Sequence, residues 1–567
     1  MNLALVAIHI DHSLRSVPLG TAMLAASVER ALGKQIATTL INCTLQQSAR
    51  DCTEQIISRH PDAVGLSMTV WNRDLALDIA QRLKASCPGI ILFAGGPEAT
   101  ATPESLVQIK DLDFILTGEG EQKLVSALGD LLRGQTPNAS ALLAAESIAD
   151  LGDLPSPYLT GLLRPTRGGG VLWELSRGCP YRCDFCFESR GSAMVRRFPL
   201  QRVRAELLLF ATLGVSEVFV LDPTFNYHKE TAKELLRIMA EDGCGLHFSL
   251  EIRAELIDQE LAELFASIDC SLQIGLQSAD AAVLRSINRD FDQEEFTDKV
   301  LLLHQAGVSY GFDLIFGLPG DSLAGFLASL DFALSLIPNH LDIFPLAVLP
   351  GTRLADTAMK LGLEYQPQAP YRVQSSTSFS AAEMSQATRI EAACDFFYNR
   401  GRAVPWFAMM LNGLELPPSE FFSRLAEVLP ETLPDDPLPL QQCFVSDQFT
   451  QRRQPEVAAL AADLIAYFSA VEPLLEGPVV ETIPDSTADE LYLSPHSRIV
   501  PFSHDPQLLL QHLADDIIDL EELAFFVPRV DSDYFCYIFQ DTLQLYPLNP
   551  AQSAYLRSLA SSTPTVP

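Results

Sequence analysis

Short apolar runs alternate with amphipathic stretches in two long blocks of this chain, and this alternation limits its possible folds more than any other feature. The first block, up to about residue 125, holds the strand-like runs LALVAI, ATTLIN, AVGLSM, IILFAGG and DFILTG. Helical patterns lie between them, for example over residues 20–32 and 73–85. Strands that alternate with helices predict a parallel, doubly wound α/β sheet, which binds ligands at the carboxyl ends of its strands.

A second block of the same kind follows a linker rich in Pro and Gly. Its strand candidates are VLWELS, EVFVLD, LHFSLEI, SLQIGL, YGFDLIF and LDIFPLAVL. Repeated β-α units predict a full or partial barrel whose chemistry lies at the strands' carboxyl ends. Beyond about residue 371 the alternation stops, and helix-leaning segments with Pro-rich acidic loops take over. We predict an α/β domain over 1–147, a linker over 148–170, a partial barrel over 171–371 and a mostly helical accessory region over 372–567.

Composition narrows the classes of partner. The chain has 567 residues and a formal net charge of -33, so several domains are expected and nucleic acids or anionic membranes are disfavoured. It has no apolar run of about 18 residues, and its first apolar run is short with no basic region before it. Most of the 11 cysteines stand alone, which indicates a reducing compartment rather than a disulfide framework. We expect a cytoplasmic protein with a small-molecule or peptide substrate.

Three cysteines follow the first strand of the second block, in ELSRGCPYRCDFCFESR over residues 174–190. Cys179, Cys183 and Cys186 form a C-x3-C-x2-C loop. Thiolates on one short loop can converge on one inorganic centre, and they select zinc or iron-sulfur iron. Structural zinc takes four ligands, whereas only His228 follows within about fifty residues, so a closed zinc site is poorly supported. A [4Fe-4S] cluster with three protein ligands would leave one iron open.

The loop, with Phe185 before its last cysteine, resembles the signature of radical S-adenosylmethionine (radical SAM) enzymes. The resemblance implies that Cys179, Cys183 and Cys186 hold a [4Fe-4S] cluster. It implies that the open iron binds the amino and carboxylate groups of S-adenosylmethionine. One electron, from a flavodoxin- or ferredoxin-type donor, then yields methionine and a 5'-deoxyadenosyl radical. A zinc knuckle or a chance group of thiols is the alternative.

Further motifs of the second block resemble the same family: LDPTFN, EIRAEL, SINRDFD and FDLIFGLPGD. The common Gly-Gly-Glu is absent from the first of them. Arg253 could clamp a carboxylate or pair with Glu251 on the same strand face, and Arg289 could be a carboxylate partner or a solvated charge. The set that the resemblance implies for S-adenosylmethionine is Phe185, Asp222, Asn226, Glu251, Arg253, Arg289, Asp313 and Gly317.

The first block resembles the cobalamin-binding domain often fused ahead of such barrels, through VPLGTAMLAASVE, GLSMTVWN, GGPEAT and GEGE. The resemblance implies a flavodoxin-like (Rossmann-like) fold with a corrinoid across the strands' carboxyl ends. The implied cobalamin residues are Gly20, Ser67, Thr69, Gly95, Gly96, Glu119 and Gly120. No D-x-H-x-x-G occurs, and neither His9 nor His12 has its spacing, so we expect no protein histidine below the cobalt. The alternative is a domain that kept the fold and lost the cofactor.

Four functions follow from these resemblances. The first is a cobalamin-dependent methyltransferase that acts on an unactivated carbon, and the second is a radical rearrangement or cyclisation without methyl transfer. The third is a methylthiotransferase, for which Cys43, Cys52 and Cys87 would have to hold a second cluster. The fourth is a sensor without turnover. Aromatic and Met residues over 398–413 would line a pocket or, more often for such patterns, form a helix core.

Overall fold

The computed structural model describes residues 1–144, 146–188, 191–471, 474, 497–513, 519–539 and 542–560. The chain forms two compact units, residues 1–326 with 344–384, and residues 327–343 with 385–567. No helix in the described ranges is long and apolar enough to cross a membrane.

The first domain is a five-stranded parallel sheet with the order β2-β1-β3-β4-β5. Its strands are β1 (Asn2–His9), β2 (Ala37–Thr44), β3 (Ala63–Ser67), β4 (Ile91–Gly95) and β5 (Phe114–Leu116). Its helices are α1 (Leu19–Leu32), α2 (Ala49–Ile57), α3 (Arg73–Ser86), α4 (Pro97–Ala101), α5 (Pro103–Leu106), α6 (Glu121–Leu132) and α7 (Ala139–Leu142). Apolar cores cover both faces of the sheet, which is why the strands are continuous apolar runs. The doubly wound prediction is confirmed.

The second domain is a six-stranded sheet with the order β13-β12-β11-β10-β9-β6. The strands up to β13 are β6 (Gly170–Trp173), β7 (Ser176–Arg177), β8 (Arg196–Arg197), β9 (Glu217–Val220), β10 (His247–Ile252), β11 (Cys270–Gln277), β12 (Ser309–Phe316) and β13 (His340–Pro345). The helices are α8 (Leu200–Leu213), α9 (Lys229–Asp242), α10 (Gln259–Ala266), α11 (Ala281–Ser286), α12 (Gln293–Gln305), α13 (Leu323–Ser335) and α14 (Arg353–Thr357). The sheet keeps two edges, β6 and β13, so the barrel is partial, as predicted.

The rest of the described chain is mainly helical. A short antiparallel pair, β14 (Glu364–Tyr365) and β15 (Val373–Ser375), precedes α15 (Ala381–Cys394), α16 (Val404–Leu414), α17 (Pro418–Val428), α18 (Leu438–Gln451) and α19 (Pro455–Ala466). A three-stranded antiparallel sheet, which the sequence patterns did not predict, consists of β16 (Ser497–His504), β17 (Arg529–Phe539) and β18 (Thr542–Pro547). It is accompanied by α20 (Pro506–Leu513), α21 (Leu520–Phe526) and α22 (Pro550–Ala560).

Candidate functional site

The cysteine loop leaves the carboxyl end of β6 and is closed at its base by the β7-β8 pair. Gly178 starts the loop with a φ of +101°, and a Cβ there would lie 2.7 Å from the Met194 carbonyl oxygen. Only glycine fits such a turn. The loop therefore turns back on itself directly before its first cysteine.

Backbone hydrogen bonds fix the middle of the loop on two other elements. The Asp184 N–H donates to the Ile287 carbonyl at 3.0 Å, and the Leu354 N–H donates to the Asp184 carbonyl at 2.9 Å. The side-chain amide of Asn288 also donates, to the Arg182 carbonyl at 2.7 Å. The cysteines are thus held on a loop with several anchors.

The three thiols of this loop differ in their burial. Cys183 is buried and Cys179 and Cys186 are half-buried, and burial raises the pKa of Cys179. Among the described residues, no three His, Cys, Asp or Glu side chains are placed so that they could hold one metal ion. Three soft donors on one anchored loop still match the ligand set of an iron-sulfur centre. All three remain predicted ligands.

Two guanidinium groups lie beside this loop. The Cζ of Arg253 is 3.7 Å from the centroid of the Tyr181 ring, and its Nε pairs with Glu255 at 2.5 Å. Arg253 therefore pairs with Glu255 and not with Glu251, the partner considered from the sequence. Arg289 donates to the Gly275 carbonyl, and burial, together with Arg253, lowers its pKa. Cations at this loop fit an anionic cluster or a substrate carboxylate.

Asp222 and Asn226, predicted to contact S-adenosylmethionine, hold the strand ends together. The buried Asp222 carboxylate accepts from the Leu175 and Ser176 N–H groups at 2.9 and 3.0 Å, and from the Ser176 hydroxyl. Burial raises its pKa to about 6. The Asn226 amide donates to the Arg253 carbonyl at 2.9 Å and accepts from the Arg253 N–H at 3.0 Å. Any contact with S-adenosylmethionine remains a prediction.

Glu251 and Asp313 face the inside of the barrel. The Asp313 carboxylate accepts from the Gln273 amide at 2.7 Å. The pKa of Glu251 is raised to about 7, because the surrounding protein removes water from it and because the Asp313 and Glu188 carboxylates are near. The inner face of the barrel is thus acidic away from the guanidinium groups of Arg253 and Arg289.

Gln277, at the carboxyl end of β11, is a site residue that the sequence reasoning missed. It is 8% exposed, has a φ of +68°, and lies where the pairing of β11 with β12 slips by one residue. Within the described chain its amide oxygen has no hydrogen-bond partner. Buried, strained and unpaired polar groups concentrate at binding sites. Only its place at a strand end could have marked it in the sequence.

Gly317 and Phe185 complete the predicted S-adenosylmethionine set. Gly317 has a φ of +82°, and a Cβ there would lie 2.9 Å from the Met384 Cε. Its N–H donates to the buried Asp321 carboxylate at 3.2 Å, and burial raises the pKa of Asp321 to about 6. Phe185 is half-buried in the cysteine loop. The glycine is therefore required by the turn itself.

A cavity of about 700 Å³ opens between the carboxyl ends of the first sheet and the cysteine loop. All predicted cobalamin residues except Thr69 line it, and no histidine is among its described lining residues. From the other side it is lined by Gly178, Phe187, Glu188 and Ser192. The hydroxyl of Thr69 is buried without a partner in the described part of the chain.

Glycines give the cavity its room. A Cβ on Gly20 would meet no heavy atom within 4 Å, so this position faces open space. Gly65, which the sequence analysis did not select, also lines the cavity, and a Cβ there would lie 2.5 Å from the Phe93 ring. The Gly96 turn, with a φ of +109°, brings the backbone against the Met68 carbonyl. Such a cradle of small residues fits a bulky ligand.

Buried ion pairs form the charged wall of the same cavity. Arg177, two residues before Cys179, pairs with Glu121 at 2.7 Å and with Glu174 at 2.9 Å. The predicted cobalamin residue Glu119 pairs with Arg196. These contacts tie the loop after β5 to the base of the cysteine loop.

The structure also bears on two other hypotheses from the sequence, a second cluster in the first domain and a pocket over residues 398–413. The Cys43 thiol donates to the Gln55 side-chain oxygen at 3.8 Å, Cys52 is buried and Cys87 is half-buried. The described residues contain no three thiols in this domain placed so that they could hold a metal. Trp406, Phe407 and the other buried residues of α16 form a helix core, the commoner interpretation of that pattern.

Family comparisons agree with this geometry. The model of the Radical SAM superfamily matches residues 173–333, and that of the B12 binding domain matches residues 12–128. A protein of unknown function (DUF4080) matches residues 359–431. The first two domains imply a [4Fe-4S] cluster, S-adenosylmethionine and cobalamin as cofactors.

The relatives include methyltransferases and methylthiotransferases. The cobalamin-dependent radical SAM methyltransferase TokK of Streptomyces tokunonensis is 27% identical over 57% of this chain, and the match spans 52% of TokK. The threonylcarbamoyladenosine tRNA methylthiotransferase MtaB of Aquifex aeolicus is 23% identical over 57% of this chain and 77% of its own. The radical SAM methyltransferase TsrM of Kitasatospora setae, whose structure contains cobalamin and a [4Fe-4S] cluster, has the same fold with a TM-score of 0.53. The two chains are 17% identical, and the match covers 68% of this chain and 80% of TsrM.

Proposed function

The chain belongs to the radical SAM proteins that carry a B12-binding domain, and from this premise we propose that it is a cobalamin-dependent methyltransferase acting on an unactivated carbon of a small molecule or peptide. The proposal assigns the corrinoid to residues 1–147 and the cluster to residues 171–371. Residues 372–567 are proposed as an accessory region.

One observation carries the proposal: a single cavity is lined by glycines of the B12-binding domain and by residues of the cysteine loop. Methyl transfer between cofactors and a substrate requires the reacting groups to share one enclosed space. The buried pairs of Arg177 with Glu121 and Glu174 hold the two walls of this space together.

The residues divide the work as follows. Cys179, Cys183 and Cys186 would hold the cluster, and Gly20, Ser67, Gly95 and Gly96 would border the corrinoid. When bound, these groups supply one-electron chemistry and a transferable methyl group. Arg253 and Arg289 would orient a carboxylate beside the cysteine loop, while the unpaired oxygen of Gln277 would accept a hydrogen bond from the same ligand.

The test is product analysis by mass spectrometry. Anaerobically reconstituted protein is incubated with S-adenosylmethionine, cobalamin, dithionite and the small-molecule fraction of a cell extract. The proposal predicts 5'-deoxyadenosine and S-adenosylhomocysteine as paired products with a methylated compound. Deoxyadenosine alone would contradict methyl transfer and leave radical chemistry in place. If neither 5'-deoxyadenosine nor S-adenosylhomocysteine forms, the proposal is overturned.

A further inference from the structure

The loop between β1 and α1 leaves the first sheet and packs on the second. A Cβ on Gly170, the first residue of β6, would lie 2.4 Å from the Leu14 carbonyl oxygen. The next residue, Arg15, places its Cζ 4.6 Å from the centroid of the Phe219 ring on β9. A loop of the B12-binding domain therefore contributes a charged side chain to the barrel.

Phe219 identifies the side of the barrel on which this contact lies. The other face of β9 carries Val220, which pairs with Trp173, and the Trp173 indole donates to Glu206 of α8. That face is covered by helices, so Phe219 lies on the inner face. Glu251 of β10 lies on the same inner face, and its carboxylate interacts electrostatically with Arg15.

Arg15 differs from Arg253 and Arg289 in its contacts, because its only charged neighbour, Glu251, interacts with it through space without a hydrogen bond in the described chain. Arg253 is paired with Glu255 and stacked on Tyr181, and Arg289 is bonded to Gly275. The Arg15 side chain is exposed, and within the described chain no hydrogen bond or ion pair engages it.

The charges around Arg15 determine which kind of ligand its guanidinium could bind. Glu251, Asp313 and Glu188 make the inner wall acidic, so an anion can approach only where a cation compensates it. The Arg15 guanidinium carries a single positive charge, and its planar fork matches a carboxylate. The Phe219 ring, itself buried, supports the guanidinium from below and leaves its outer edge exposed.

We infer that Arg15 is a substrate-binding residue that pairs with the carboxylate of the substrate. The inference rests on the proposed function, because it assigns a substrate class to the same site. It also explains why a loop of the cobalamin domain enters the barrel: the domain that would hold the corrinoid then also orients the substrate.

Binding of two probes that differ only in charge tests the inference. Phenylacetate and phenylacetamide are titrated into full-length, cluster-reconstituted protein, and binding is followed by saturation-transfer NMR. Wild type should bind phenylacetate saturably and more tightly than phenylacetamide. Arg15→Gln should weaken phenylacetate binding about tenfold and leave phenylacetamide unchanged. Arg82→Gln, at an exposed arginine of α3 paired with Asp78, should change neither.

The inference is overturned if wild type binds no phenylacetate, if the two probes bind alike, or if Arg15→Gln binds phenylacetate as wild type does. Iron content and melting temperature establish that each variant is folded. The readout needs no turnover. Protein that binds phenylacetate through Arg15 but does not cleave S-adenosylmethionine would therefore contradict the proposed function alone. Protein that cleaves S-adenosylmethionine and forms a methylated product, but does not bind phenylacetate through Arg15, would contradict this inference alone.

Discussion

The two parallel sheets carry different kinds of residue at their carboxyl edges. The first presents glycines and backbone at its carboxyl edge, and where Gly20 stands there is open space. The second presents thiols, guanidinium groups and carboxylates, several of them bonded to each other. An edge rich in glycine leaves room for one bulky ligand, whereas an edge of charged groups selects atoms by hydrogen bonds and charge. The same α/β architecture thus presents a cradle of small residues in one domain and, in the other, the loop proposed as the reactive centre.

The largest effect is expected at the reactive centre. Cys183→Ala removes one of three ligands, so iron after anaerobic reconstitution should fall from about four atoms per chain to nearly none, and cleavage of S-adenosylmethionine should be lost. Iron quantification and product analysis measure both. Cys443→Ala, at an exposed cysteine of α18, is the control and should retain its iron. A Cys183→Ala variant that keeps its cluster would show that the cysteine loop of the second sheet does not hold it.

A side chain placed in the cradle should affect only the first cofactor. Gly20→Leu fills open space at the start of α1, so the corrinoid retained after reconstitution should fall about tenfold while iron stays constant. Visible absorption and iron analysis on one sample measure both. Gly89→Leu, also without heavy atoms near its Cβ but outside the cavity lining, is the matched control. Equal corrinoid retention in the two variants would refute the cradle.

The buried ion pairs between the two walls give a smaller effect. Side-chain exposure is 14% for Arg177 and 6% for Glu121, so Glu121→Gln should lower the free energy of unfolding by about 2 kcal/mol. Glu54→Gln removes an ion pair whose side chains are 77% and 63% exposed and should cost less than about 0.5 kcal/mol. Denaturant titration compares them. Similar losses in both variants would mean that burial does not distinguish these pairs.

Asp222 gives the smallest effect, and it depends on pH. Its pKa is raised by burial from 3.8 to about 6, so the folded state holds the proton more tightly than the unfolded state. Its stabilising contribution is complete below about pH 4 and is lost as the pH rises through about 6. Between pH 5 and pH 7 wild type should lose about 1 kcal/mol relative to Asp222→Asn. Parallel stability curves for the two proteins would show that this carboxyl does not titrate as described.

The sequence predicted elements and motifs well, because apolar runs, the cysteine spacing and the glycine loops are local features. It could not show that Asp222 and Asn226 bond to neighbouring strand ends, since that depends on strand register. Arg253 pairs with Glu255 rather than Glu251, because the chain turns away after β10. The roles inferred for Gln277 and Arg15 likewise depend on a slipped register and on a loop from another domain.

The central claim is that one chain carries one cluster on its second sheet and one corrinoid on its first. Iron and cobalt measured together on a single anaerobically reconstituted sample test it most directly. The account predicts about four iron atoms and about one cobalt per chain. About eight iron atoms, as a second cluster would require, or iron without cobalt would contradict it.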